Sequence, residues 1–153
     1  MNIAVRQATA ADAPVIVNLI EALAEYEALE PPTDAARARL AAELASPRPR
    51  FEAFIAECGG EPAGFALVFE TYSSFLAKPK LYLEDIFVLP AFRRHGVGKA
   101  LFEHLAAAAR RRGCAVMEWT ALDWNSPAHK FYGKMGGRHL KAWQVFRLDL
   151  DAP

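Results

Sequence analysis

Arg93-Arg94-His95-Gly96-Val97-Gly98-Lys99-Ala100 joins an apolar run, Leu81 to Leu89, to an amphipathic one, Leu101 to Arg112. The order is strand, then a basic glycine-bearing turn, then helix. A helix N-terminus carries about four backbone N–H groups without intrahelical partners and the positive end of the macrodipole. Glycines at 96 and 98 allow close backbone approach and positive φ. Together these features predict a site for a phosphate or pyrophosphate. A P-loop is excluded, because Lys99 is followed by Ala100 and no glycine precedes Gly98 by five residues. A dinucleotide fingerprint is excluded by Leu101, where a third glycine would be needed. What remains is R-x-x-G-x-G on Arg93, Gly96 and Gly98. Taken alone, these residues also suit an ordinary helix start with glycines and basic residues in it.

Working outward, Ile3 to Gln7 reads as a strand, and Thr9 opens a helical pattern with Asp12 as its capping-box partner. Val15, Leu19, Leu23 and Tyr26 repeat at helical spacing until Pro31-Pro32. A second helix spans roughly Asp34 to Leu44. Phe51 to Glu57 and Ala63 to Tyr72 flank a glycine turn and read as a hairpin, followed by the long strand Leu81 to Leu89. Val116 to Leu122 is a further strand. Asn125-Ser126-Pro127 opens a last helix ending at Gly136-Gly137, and His139 to Leu150 is expected to close the sheet. The order is β-α-α-β-β-β-α-β-α-β. Pairing is expected to be parallel where helices link strands and antiparallel in the hairpin, giving a mixed sheet with helices on both faces.

The 153 residues suit a single domain over 1–153, large enough to bury roughly 68–70% of its unfolded surface. Lysine and arginine total 18 against 18 acids, so no net charge favours nucleic acid or an anionic membrane. Cys58 and Cys114 form no metal-ligand spacing, and neither do His95, His104, His129 and His139; no metal is expected. No apolar run reaches membrane-spanning length, and the chain reads as cytoplasmic with reduced thiols.

Ligands of such sheets bind beyond the carboxyl ends of the strands. Two segments converge there: Leu83-Glu84-Asp85-Ile86-Phe87-Val88, and Asp123-Trp124-Asn125-Ser126-Pro127 followed by Phe131-Tyr132. Strict alternation sets Glu84, Ile86 and Val88 on one face and Leu83, Asp85 and Phe87 on the other. Two adjacent carboxylates in an apolar strand are costly if buried without partners. They fit either a reaction site or hydrogen-bonded structural acids.

With these residues the chain resembles the GNAT N-acetyltransferases, near the spermidine/spermine and thialysine acetyltransferase branch. The resemblance runs through Arg6 to Asp12, Leu23 to Glu27, Tyr72 to Phe75, Leu81 to Val88, Arg93 to Lys99, Trp124 to Pro127, and Phe131-Tyr132 with Gly136. It implies the mixed, mostly antiparallel GNAT sheet and acetyl-CoA as co-substrate. By resemblance, Ile86, Phe87 and Val88 hold the pantetheine arm and orient the acetyl carbonyl. Arg93, Arg94, His95, Gly96, Val97, Gly98 and Lys99 receive the pyrophosphate, and Asn125 and Lys134 contact the cofactor from the last helix. Glu84 is implied as general base, Tyr132 as general acid, and Tyr26, Glu27, Glu84 and Trp119 as the acceptor side. A homodimer is also implied.

The chemistry agrees with those roles. A lysine-type amine, of pKa about 10.4, is almost wholly protonated at neutrality and needs a base before it attacks. No Cys or Ser is paired with a His, so direct transfer is favoured over an acyl-enzyme. Polyamine enzymes of this branch carry an acid where Ser73 stands, and Lys141 adds a cation nearby. The expected acceptor is therefore a primary amine of a small molecule, a diamine, polyamine or lysine/thialysine-like compound, with spermine disfavoured. A noncatalytic acyl-CoA-binding regulatory module and a protein or peptide N-acetyltransferase are the alternatives.

Overall fold

The computed structural model describes residues 2–151, and their elements follow the order β-α-α-β-β-β-α-β-α. They are β1 (Ile3–Gln7), α1 (Ala13–Tyr26), α2 (Asp34–Ala45), β2 (Glu52–Cys58), β3 (Glu61–Ser73), β4 (Lys78–Val88), α3 (Val97–Arg111), β5 (Met117–Glu118) and α4 (Ser126–Lys134). The sheet runs β1-β2-β3-β4-β5. Its first four strands are antiparallel, and β5 pairs with β4 in parallel across the α3 crossover. The chain divides into two compact units, one through Thr120 and one from Ala121.

In the first unit the central strands are covered on both faces, which is why they read as nearly continuous apolar runs. Phe54, Ala66, Val68, Leu81 and Leu83 pack with Val97, Leu101 and Leu105 of α3. Ala53, Ile55, Phe65, Leu67 and Phe87 pack on the other face with Ile16 and Leu19 of α1. The entry to α1 is held by Asp12. Its carboxylate accepts from the Thr9 N–H at 2.7 Å and from both terminal nitrogens of Arg6 at 2.8 and 2.9 Å. Thr33 caps α2 by accepting from the Ala36 N–H, and Arg37 ties α2 to Glu21 of α1 at 2.8 Å.

The β3–β4 register shifts at one place. Leu67 faces Asp85 and Val68 faces Leu83, so Glu84 is an extra, unpaired residue in β4. This β-bulge corrects the strict alternation expected for the strand. Leu83 lies in the α3-side cluster together with Ile86 and Val88, while Phe87 faces the α1 side. A bulge puts two residues opposite one and resets the phase of every side chain beyond it.

In the second unit Asn125 caps α4, its side-chain oxygen accepting from the Ala128 N–H at 3.4 Å. Residues 139–150 form no strand, so the expected closing strand is absent from the described chain. Trp143, Val145, Phe146, Leu148 and Leu150 are between 79 and 88% exposed. Apolar alternation supplies one face of a strand, but the strand itself exists only through pairing with a neighbour. The strand expected over 116–122 is likewise reduced to Met117–Glu118.

Candidate active site

The half of β4 that leads into the glycine loop is bonded on one side only. β5 meets β4 at Leu81 and Tyr82 and no further, whereas β3 continues beside it to Val88. From Leu83 to Val88 the β5-facing edge therefore carries no ladder, and Ile86 and Val88 are half-buried along it. Such an edge pairs readily with the amides of an extended ligand.

The edge ends at the loop opening α3. Arg94 and Gly96 are left-handed, with φ of 65° and 85°. Gly96 is the N-cap and, having no side chain, leaves the first turn of the helix without a side-chain cap. Alternating left-handed residues before an uncapped helix form the concave N–H arrays that bind anions. Val97 is buried and fixes the first turn into the core, while Arg94, His95 and Lys99 are exposed. Gly98 is half-buried, and Lys99 lies 3.8 Å from Glu103. Loop and edge fit a molecule with an anionic group at one end and an amide arm at the other.

Acidic residues lie on the other side of β4. Burial, then the charge of Glu84, then that of Glu27, pushes the Asp85 carboxyl up to about 7. Burial also raises Glu27. Glu84 itself is exposed at the bulge. The charges of Glu84 and Glu27 both reach Asp85, so negative potential gathers at this part of β4 and favours an approaching organic cation such as an ammonium. Beside them the Tyr26 and Phe87 rings lie 5.8 Å apart, and the Arg93 guanidinium sits 4.6 Å from the first and 5.4 Å from the second. Its Nε donates to the Val88 carbonyl at 3.0 Å.

The first unit thus brings together Tyr26, Glu27, Glu84, Phe87 and Arg93, and adds Asp85, which the sequence marked only as one of a costly pair. Trp119 lies apart from them, packed edge-on against Phe102 at 5.3 Å in the α3-side cluster. In the second unit Asn125 is buried at the cap of α4, Tyr132 is half-buried against Phe131 at 5.7 Å, and Lys134 is exposed. Among the described residues no three His, Cys, Asp or Glu side chains converge as metal ligands would, and no helix is long and apolar enough to cross a membrane.

The acetyltransferase (GNAT) family model matches residues 16–137. The chain is 32% identical over 162 residues to a thialysine N-epsilon-acetyltransferase of Sus scrofa, covering 99% of this chain and 95% of that protein. It is 46% identical over 90 residues to an L-ornithine N5-acetyltransferase of Arabidopsis thaliana, a match spanning 59% of this chain and 40% of the relative's length. Among solved structures, a probable acetyltransferase superposes with a TM-score of 0.83 at 24% identity, with all of both chains covered.

Proposed function

Because this chain belongs to the acetyltransferase (GNAT) family, we propose that it transfers acetyl directly from acetyl-CoA to a small primary amine of the ornithine, lysine or thialysine kind. The observation that carries this reading is the continuity of the free β4 edge with the uncapped α3 N-terminus, beside the carboxyls of Glu27, Glu84 and Asp85. Relatives named for thialysine and for ornithine support an amino-acid-like amine as the acceptor.

Acetyl-CoA supplies an activated thioester. The N–H groups of Val97, Gly98 and Lys99 bind its pyrophosphate, with Arg94 and His95 in the loop, and the backbone of Ile86, Phe87 and Val88 lies along its pantetheine arm. Asn125 and Lys134 complete the cofactor side. Glu27 and Asp85, beside Tyr26, attract the acceptor ammonium. Glu84, solvent-facing at the bulge, takes the amine proton directly or through water, because only the neutral amine attacks. A β4 N–H stabilises the charge that develops on the carbonyl oxygen, and Tyr132 returns a proton to the departing sulfur. In this reading residues 1–153 work as a single domain, of which the family match covers 16–137.

We extend the proposal to a homodimer in the cytoplasm. The free thiols of Cys58 and Cys114 support the reducing compartment. The exposed side chains from Trp143 to Leu150 support the second copy. Aromatic residues bury about 150–250 Å² each, so Trp143 and Phe146 alone supply about 300–500 Å² of the roughly 800 Å² per partner of a stable interface, with Val145, Leu148 and Leu150 adding to it. Competition between L-ornithine and a lysine-bearing peptide for a limiting supply of acetyl-CoA tests the acceptor class. The proposal requires N-acetylated ornithine as the main product; preferential peptide acetylation would reassign the enzyme to protein substrates.

A further inference from the structure

Arg93 opens the R-x-x-G-x-G stretch, yet its side chain turns away from the loop. The guanidinium is half-buried over the Tyr26 ring at 4.6 Å and near the Phe87 ring at 5.4 Å, and its Nε donates to the Val88 carbonyl at 3.0 Å. Tyr26 is the last residue of α1, and Val88 is the last residue of β4. One side chain therefore links the helix end that carries Glu27 to the strand end where the free edge stops. Rings stacked on a guanidinium and a carbonyl held by the same group restrain one another, and a planar cation fits that site as an ammonium does not.

We propose that Arg93 is a positioning residue for the acceptor amine and not a ligand of the cofactor phosphates: it fixes the Tyr26–Glu27 wall against the end of β4. The inference rests on the reading of Tyr26 and Glu27 as the acceptor side. Phosphate binding then falls to the α3 N-terminus and the exposed Arg94 and Lys99, whose side chains carry no such restraint.

The test pairs two measurements on Arg93→Gln and Arg93→Lys. Calorimetric titration with CoA reads the cofactor site without turnover, and titration of CoA-saturated protein with thialysine reads the acceptor site, also without turnover. Steady-state kcat/KM for thialysine completes the set. In both variants the CoA Kd is expected within about twofold of wild type, while thialysine affinity and kcat/KM fall about ten- to a hundredfold. Lysine does not rescue, because a single ammonium has no separate Nε to donate to Val88 while a delocalised cationic plane lies over the rings. A tenfold weaker CoA Kd with unchanged thialysine affinity would make Arg93 a phosphate ligand and overturn the proposal, as would no change in either.

Should both Arg93 variants unfold, Tyr26→Leu removes the stacked ring and keeps the arginine. It must reproduce the acceptor-selective loss, and an unaltered thialysine affinity overturns the assignment. Wild-type protein that binds CoA but acetylates no amine would count against the proposed function, and the CoA titration of the variants would still read Arg93 on its own.

Discussion

Asp85→Asn should stabilise this protein, and more so as the pH rises. The wild-type carboxyl goes from an ordinary 3.8 to about 7 on folding, chiefly through burial. A group whose folded pKa is raised holds more protons in the folded than in the unfolded state between those two values. Stability therefore falls as pH climbs from 3.8 to 7 and levels off above. At 1.36 kcal/mol per pH unit, the penalty from Asp85 alone grows by about 3 kcal/mol between pH 5 and pH 8. Asparagine does not ionise and removes that slope. Urea unfolding at pH 5 and pH 8 should show a gain in the variant that is larger at pH 8 by up to about 3 kcal/mol. The same variant should bind the acceptor ammonium less well. An equal change at both pH values, or a loss of stability that grows with pH, would refute the placement of Asp85 in a desolvated, anion-crowded site.

Glu84→Gln should leave the CoA Kd unchanged and lower kcat about a hundredfold, checked by calorimetry and initial rates across pH; an unaltered pH–rate profile removes Glu84 as base. Tyr132→Phe should slow turnover with acetyl-CoA, measured as thiol release, and an undiminished rate excludes it as the acid. Replacing Trp143 and Phe146 together by aspartate should shift the protein from dimer to monomer in sedimentation. A single species of unchanged mass in both proteins excludes that segment from the interface. Asp12→Ala should cost about 1 kcal/mol of stability at neutral pH by removing the Thr9 and Arg6 contacts, their partial exposure having been allowed for. The Arg6 guanidinium beside Asp12 holds its carboxyl well below the usual range. The contribution is thus present at neutral pH and lost as pH falls below 3.8, which acid titration of both proteins would display.

Where a signal was local, the residues announced the structure. Thr9 with Asp12 marked a capped 3-10 turn, Ala10–Asp12, that leads directly into α1, Gly96 fell at the N-cap of α3, and Asn125 with Pro127 opened α4. The covered strands were legible because burial on both faces demands continuous apolar runs. What escaped the sequence depends on partners. The face of Leu83 is set by a register shift against Val68, and no pattern within β4 encodes it. Asp85 differs from Glu84 only through that bulge and through Glu27, more than fifty residues away. Arg93 looks like part of an anion loop until Tyr26 is seen beneath it. Residues 139–150 carry a strand's alternation but no neighbouring strand among the described residues, so pattern and structure part there.

The most direct test of the central claim is the initial rate of thiol release from acetyl-CoA with ornithine, lysine, thialysine, spermidine, an aminoglycoside and a peptide, spontaneous hydrolysis subtracted. The account predicts release with the amino-acid-like amines well above the others. Tight CoA binding with no release for any amine would contradict it and leave a binding module in place of an enzyme.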